Sequence, residues 1–107
     1  MKSINGKELK QLLESRNNLL LLEVLPEKYY RKGHLPGARN LPLEAVDTQA
    51  PVLIPDKSAS VILYCASETC ENSHSAAQRL VELGYQDITV YPGGKAEWEK
   101  FGYAFAN

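Results

Sequence analysis

Cysteine, histidine and long apolar runs are scarce in this chain, and each scarcity removes a class of function. Two cysteines, Cys65 and Cys70, and two histidines, with no Cys-x-x-Cys pair, are too few for a zinc centre, so no metal is expected. No apolar run reaches the ~18–20 residues of a membrane-spanning helix. The run from Leu19 to Leu22 is interrupted at once by Glu23. An excess of one charge is lacking too: the formal net charge is -1. Nothing therefore steers the molecule toward nucleic acid or an anionic membrane, and neither is expected as a partner. The first residues, MKSINGKELK, hold no apolar stretch of the kind a secretory signal needs, which points to a cytoplasmic protein. Thiols are normally reduced there, so Cys65 and Cys70 read as thiols rather than as a staple. No internal repeat, low-complexity tract or linker is present, and no pattern dictates an oligomeric state. The 107 residues, 44% hydrophobic and 23% charged, suit one globular domain spanning 1–107.

What is present alternates between two periodicities. Asn5 can cap a helix, with Glu8 placed to reach back to it, and Leu9, Leu12 and Leu13 then share one helical face. Asn17 and Asn18 break that pattern. Leu19 to Leu25 suits a strand buried on both faces. Pro26 ends it and opens a short helix through Lys32, which Gly33 stops. Ala38 to Leu41 is a short strand between two prolines. Leu43 to Lys57 reads as irregular, with at most one helical turn. Ser60 to Tyr64 is the clearest strand, and it delivers Cys65 at its C-terminal end. Ala76, Ala77, Leu80 and Val81 recur at helical spacing before Gly84. Ile88 to Tyr91 is a further strand, Pro92-Gly93-Gly94 a turn, and Ala96 to Phe101 a last helix. Strands alternating with helices predict an α/β domain with a mainly parallel sheet.

Ligands of open parallel sheets bind just beyond the carboxyl ends of the strands. Cys65 stands there, ahead of a polar loop and a helix. A loop that curls between strand and helix turns successive N–H groups inward and favours an anion. A thiolate in such a cup has a depressed pKa and is a nucleophile. The same position also suits a buried structural cysteine, and the residues alone leave both readings open.

The segment Gly33-His34-Leu35-Pro36-Gly37-Ala38-Arg39-Asn40-Leu41-Pro42 resembles the GHIPGAxNxP signature of rhodanese homology domains. Glu23-Val24 precedes it at the family's spacing. Val61-Ile62-Leu63-Tyr64-Cys65 resembles the family's active-site strand and cysteine, and Leu83-Gly84-Tyr85, Gly93-Gly94 and Trp98 its closing pattern. The resemblance covers nearly the whole chain. It implies a three-layer α/β domain with a mainly parallel central sheet of about five strands flanked by helices, and a rhodanese-like sulfurtransferase in which Cys65 is the catalytic nucleophile and no cofactor is needed. Ala66, Ser67, Glu68, Thr69 and Cys70 would bind the substrate. Sulfane sulfur would pass from a small donor, through a Cys65 persulfide, to a thiol acceptor, which can be a protein.

Three departures from the family pattern carry expectations. The loop reads Cys65-Ala66-Ser67-Glu68-Thr69-Cys70-Glu71, with no basic residue before Arg79. Poor use of thiosulfate follows, since a basic fork is what attracts such an anion. The stretch from Cys65 to Ala76-Ala77 is about two residues longer than usual, which widens the pocket or delays the helix. Leu25 replaces an arginine, so a supporting ion pair is expected to be absent. Cys70 is a candidate resolving thiol for a persulfide or sulfenic acid on Cys65, or a space-filler in the loop. His34 reads as holding its turn and His74 as a solvated helix residue. Trp98, Tyr85 and Phe101 read as core or helix-packing residues, and Arg31, Lys32 and Arg39 as a surface basic cluster. The rival functions are a non-catalytic binding module, a cysteine-dependent phosphatase or arsenate reductase, and a Cys65–Cys70 thiol-disulfide switch.

Overall fold

The apolar segments pair into one parallel sheet in the computed structural model, which describes residues 1–15 and 18–107. Along the chain the elements are β1 (Lys2–Ser3), α1 (Gly6–Ser15), β2 (Leu19–Glu23), α2 (Glu27–Lys32), β3 (Arg39–Asn40), α3 (Val46–Leu53), β4 (Ser60–Tyr64), α4 (Asn72–Glu82), β5 (Asp87–Tyr91) and α5 (Gly94–Lys100). A 3-10 turn at Leu43–Ala45 leads into α3. The strand order is β1-β5-β4-β2-β3, and the pairings are parallel. This is the five-stranded three-layer α/β arrangement that the family resemblance implies, and four of its strands are those the alternating pattern predicts. The two-residue β1 has no periodicity for a sequence reading to detect. No helix among the described residues is long and apolar enough to cross a membrane.

Strand alternation sends successive side chains to opposite faces. Val61 and Leu63 of β4, Leu22 of β2, and Ile88 and Val90 of β5 pack beneath α3 and α4 with Val46, Ala50, Ile54, Ala76, Ala77 and Leu80. Leu21, Ile62, Tyr64 and Tyr91 face the other way, against Leu9 of α1 and Trp98 of α5. The cap predicted at Asn5 is present in both directions. Glu8 N–H donates to Asn5 Oδ1 at 2.8 Å, and Asn5 N–H donates to Glu8 Oε1 at 3.1 Å. Asn17, read as a helix break, lies outside the described residues.

The reading of Leu43 to Lys57 as irregular is corrected by α3. Pro51 lies inside this helix, on its exposed side. It removes one N–H, yet the stripe Val46–Ala50–Ile54 is buried at 2%, 0% and 0% exposure. Burial of that stripe outweighs the proline's local cost. Phe101, 38% exposed, is a helix-packing residue rather than a core one: its ring lies against Gly6 of α1 and against Tyr103. Trp98 and Tyr85 are buried, and each donates to a carbonyl, Ala104 O at 2.9 Å and Ile54 O at 2.7 Å.

Candidate functional site

β4 is the central strand, and Val61 to Tyr64 are buried along its length. It pairs on both sides, with β2 and β5. Cys65 follows at its carboxyl end, 2% exposed. The chain then turns tightly, with Cys70 N–H donating to Ser67 O at 3.0 Å. The hydroxyls of Ser67 and Thr69 share a hydrogen bond at 3.1 Å. Ala66, Glu68 and Thr69 are exposed, whereas Ser67 and Cys70 are half-buried. Both cysteines are free thiols.

The turn brings Cys70 back onto Cys65. The Cys65 thiol donates to Cys70 O at 3.3 Å, and Ser73 Oγ lies 3.5 Å from the same sulfur. Burial pushes the Cys65 thiol up, the neighbouring Cys70 adds to this, and hydrogen bonds from the Ser73 hydroxyl and N–H pull it down. The balance is above the ordinary thiol value, not the depressed value a ring of inward N–H groups would give. The loop turns a carbonyl toward the sulfur, while the named donors come from Ser73, one helical turn further on.

Sequence reasoning passed over Ser73. The signal was available: Ser73, Ala76, Ala77 and Leu80 make one i, i+3, i+4, i+7 stripe, and a polar member of such a stripe is buried toward something polar. Ser73 is 1% exposed.

The rear of the loop is clamped by α5. Lys95 N–H donates to Cys65 O at 3.1 Å and Ala96 N–H to Ala66 O at 2.9 Å. The approach is close enough that a Cβ at Gly94, whose φ is +61°, would collide with the Cys65 carbonyl. Glycine is required there on both counts.

Lys95 also overturns the expectation of a missing ion pair. Its Nζ lies 2.9 Å from Glu23 Oε2, with Glu23 wholly buried, and it donates to Tyr29 O at 2.9 Å. Tyr64 Oη donates to Glu23 Oε1 at 2.7 Å and accepts from Leu35 N–H at 3.1 Å. Burial holds the Tyr64 phenol far above its ordinary value, so it remains a donor. The cation opposite the acid thus comes from α5 rather than from position 25. Leu25 is buried instead and lines a cleft of about 380 Å³ with Tyr29, Lys32, Gly33, Ala66, Lys95, Glu99 and Phe105. A second cleft of about 380 Å³ borders Ser67, Glu68 and Thr69.

His34, Arg31 and Arg79 are engaged away from the sulfur. His34 Nδ1 is 3.0 Å from Tyr30 O. Its ring stacks on Tyr30 at 3.9 Å, and its backbone pairs with Ala106, so it holds its turn as expected. His74 is half-buried in the first turn of α4. Arg79 is occupied on the outer surface by Asp47, at 2.8 and 2.9 Å, and by Glu82 at 3.3 Å. Arg31 pairs with Glu27 within α2. Among the described residues, no group of three or more His, Cys, Asp or Glu could hold a metal ion.

The model of the rhodanese-like domain family matches residues 5–101. The chain is similar to a thiosulfate sulfurtransferase of Escherichia coli, at 34% identity over 67 residues, covering 63% of this chain and 62% of that protein. It is also similar to an adenylyltransferase and sulfurtransferase of Arabidopsis thaliana, at 27% identity over 107 residues, covering 89% of this chain and 23% of that protein. It therefore spans less than two thirds of either relative. The solution structure of a rhodanese-like domain from Anabaena superposes with a TM-score of 0.89 at 25% identity, covering 100% of this chain and 80% of that one.

Proposed function

Because the chain belongs to the rhodanese-like domain family, we propose that it is a sulfurtransferase or sulfur carrier that forms a persulfide on Cys65 and passes the sulfane sulfur to a thiol or other nucleophilic acceptor. The observation that carries this reading is the position of Cys65. It ends the central strand of a parallel sheet, inside a loop clamped by α5, with the Ser73 hydroxyl 3.5 Å from its sulfur. The Cys65 thiolate attacks the donor's sulfane sulfur. A new S–S bond forms on Sγ, the donor's S–S bond breaks, and the remainder leaves with the electron pair. Ser73 supports the negative charge before the attack and after the sulfur is discharged. Neither step calls for a metal or an external redox reagent.

The loop's electrostatics bear on the donor. Glu68 and Glu71 are exposed, and Arg79, the first cation after Cys65 in the chain, is already forked onto Asp47. A doubly charged donor such as thiosulfate meets repulsion at the loop, so a neutral or larger sulfane donor is favoured. The same lack of a guanidinium counts against a phosphatase or arsenate reductase, which needs one to hold a tetrahedral oxyanion. A reducing compartment such as the cytoplasm would keep both thiols available.

The test is intact-protein mass spectrometry after incubation with polysulfide, in wild type and Cys65→Ser. The expected result is a gain of about 32 Da that is lost in the variant. Equal sulfur uptake by Cys65→Ser overturns the assignment. In steady-state assays Glu68→Arg is expected to raise kcat/KM for thiosulfate, and no gain would overturn the electrostatic argument.

A further inference from the structure

A sulfur atom parked on Cys65 is poorly placed to leave. Cys65 is 2% exposed, its thiol faces Cys70 O and Ser73, and the carbonyl behind it is tied to α5. Little of Cys65 is open to a bulky acceptor thiol. Cys70 differs in the respect that matters: like Cys65 it is a free thiol, but it is half-buried rather than buried. The Ser67–Cys70 turn folds five positions of chain so that the Cys70 backbone oxygen sits 3.3 Å from the Cys65 sulfur.

We propose that Cys70 is the exit thiol of the site, taking the outer sulfur from the Cys65 persulfide and presenting it to the acceptor. This rests on the persulfide reading of Cys65. The Cys70 thiolate attacks the outer sulfur of Cys65–S–SH. The bond from Cys70 Sγ to that sulfur forms, and the bond from Cys65 Sγ to it breaks. Cys65 departs as a thiolate, and the sulfane sulfur keeps its oxidation state and its proton. The Ser73 hydroxyl and N–H, which partly offset the burial that holds the Cys65 thiol above its ordinary value, receive the leaving group. The acceptor thiolate then attacks the outer sulfur of Cys70–S–SH and releases Cys70 as a thiolate.

With no acceptor, a second exchange closes the pair. The Cys65 thiolate attacks Cys70 Sγ, the Cys65–Cys70 disulfide forms, and hydrosulfide leaves with the electrons of the broken S–S bond. The disulfide is thus the idle state of a loaded site, and a thiol reductant reopens it.

The experiment uses the full chain loaded with one equivalent of polysulfide, trapped by alkylation at intervals and cleaved after glutamate. Glu68 and Glu71 put Cys65 and Cys70 in separate fragments, so the sulfur is located directly. In wild type, sulfur is expected first on Cys65 and then on Cys70, with hydrosulfide and disulfide appearing when acceptor is withheld. In Cys70→Ala and Cys70→Ser, sulfur is expected to stay on Cys65, with single-turnover transfer to glutathione slowed at least about tenfold by loss of the tethered thiol. Sulfur confined to Cys65 in wild type, with equal transfer in the variants, overturns the exit role and leaves the persulfide reading standing. Sulfur on Cys70 alone, with neither Cys70 variant loading, reverses the order and overturns the proposal. No sulfur on any form overturns the underlying reading as well.

Discussion

On the α3/α4 side of the sheet the buried side chains are almost all aliphatic: Leu22, Val24, Val61, Leu63, Val90, Ala76, Ala77 and Leu80. On the α1/α5 side they include Tyr64, Tyr91 and Trp98, with the buried carboxylate of Glu23 and its partner Lys95. Cys65 leaves β4 between the two. Its sulfur meets Ser73 of α4, on the aliphatic side, where burial raises the thiol and Ser73 partly restores it. Its carbonyl meets α5, on the polar side. One face thus sets how readily the thiol ionises, and the other sets where the loop stands. A site divided this way can be altered in reactivity without being moved.

That division can be broken from the polar side with the largest effect. Lys95→Met leaves the Glu23 carboxylate, 0% exposed, without its cation, and such an orphaned charge costs about 3–5 kcal/mol. Urea unfolding is expected to show that loss, and the double variant Lys95→Met with Glu23→Gln is expected to recover most of it. A single-variant loss below about 1 kcal/mol would mean that the pair behaves like a surface contact.

From the aliphatic side, Leu80→Ala is expected to cost about 3 kcal/mol through lost burial and the cavity left behind. Leu80 belongs to the cluster beneath α3 and α4, which includes neither Cys65 nor Glu23, so the pH profile of Cys65 alkylation in the folded protein is expected to be unchanged. A shifted profile would show that packing beneath α4 reaches the sulfur.

The smallest effect sharpens the comparison at the sulfur itself. Ser73→Ala removes the hydroxyl that favours the thiolate, so the alkylation midpoint of Cys65 is expected to rise. Cys70→Ala removes a neighbour that raises the thiol, so there the midpoint is expected to fall. Alkylation against pH, read by mass spectrometry of the Cys65 fragment, checks both signs. Movement in the same direction would refute the opposed roles.

The aliphatic half of this division was more legible in the sequence than the polar half. Ser60 to Tyr64 reads as a strand because four apolar, β-branched or aromatic residues, Val61 to Tyr64, stand between turns, and the observed strand has those bounds. The Asn5–Glu8 cap reads correctly because both partners lie within one turn. What failed depends on distant or compensated terms. Pro51 and Pro55 hid α3, although Val46, Ala50 and Ile54 carried its stripe. The Glu23–Lys95 pair could not be read from local spacing, because β2 and α5 meet only when the sheet closes. Ser73 was hidden by its ordinariness: a serine near a helix start suggests a cap, not a group buried against a thiol.

Gly94 has a consequence for motion. Because α5 abuts the loop without a side chain between them, the amides of Lys95 and Ala96 are shielded by the carbonyls of Cys65 and Ala66. Admitting a reactant by lifting the loop from α5 would break those two bonds together. The amide protons at 95 and 96 are therefore a built-in clock, and their exchange with solvent times each parting of loop and helix.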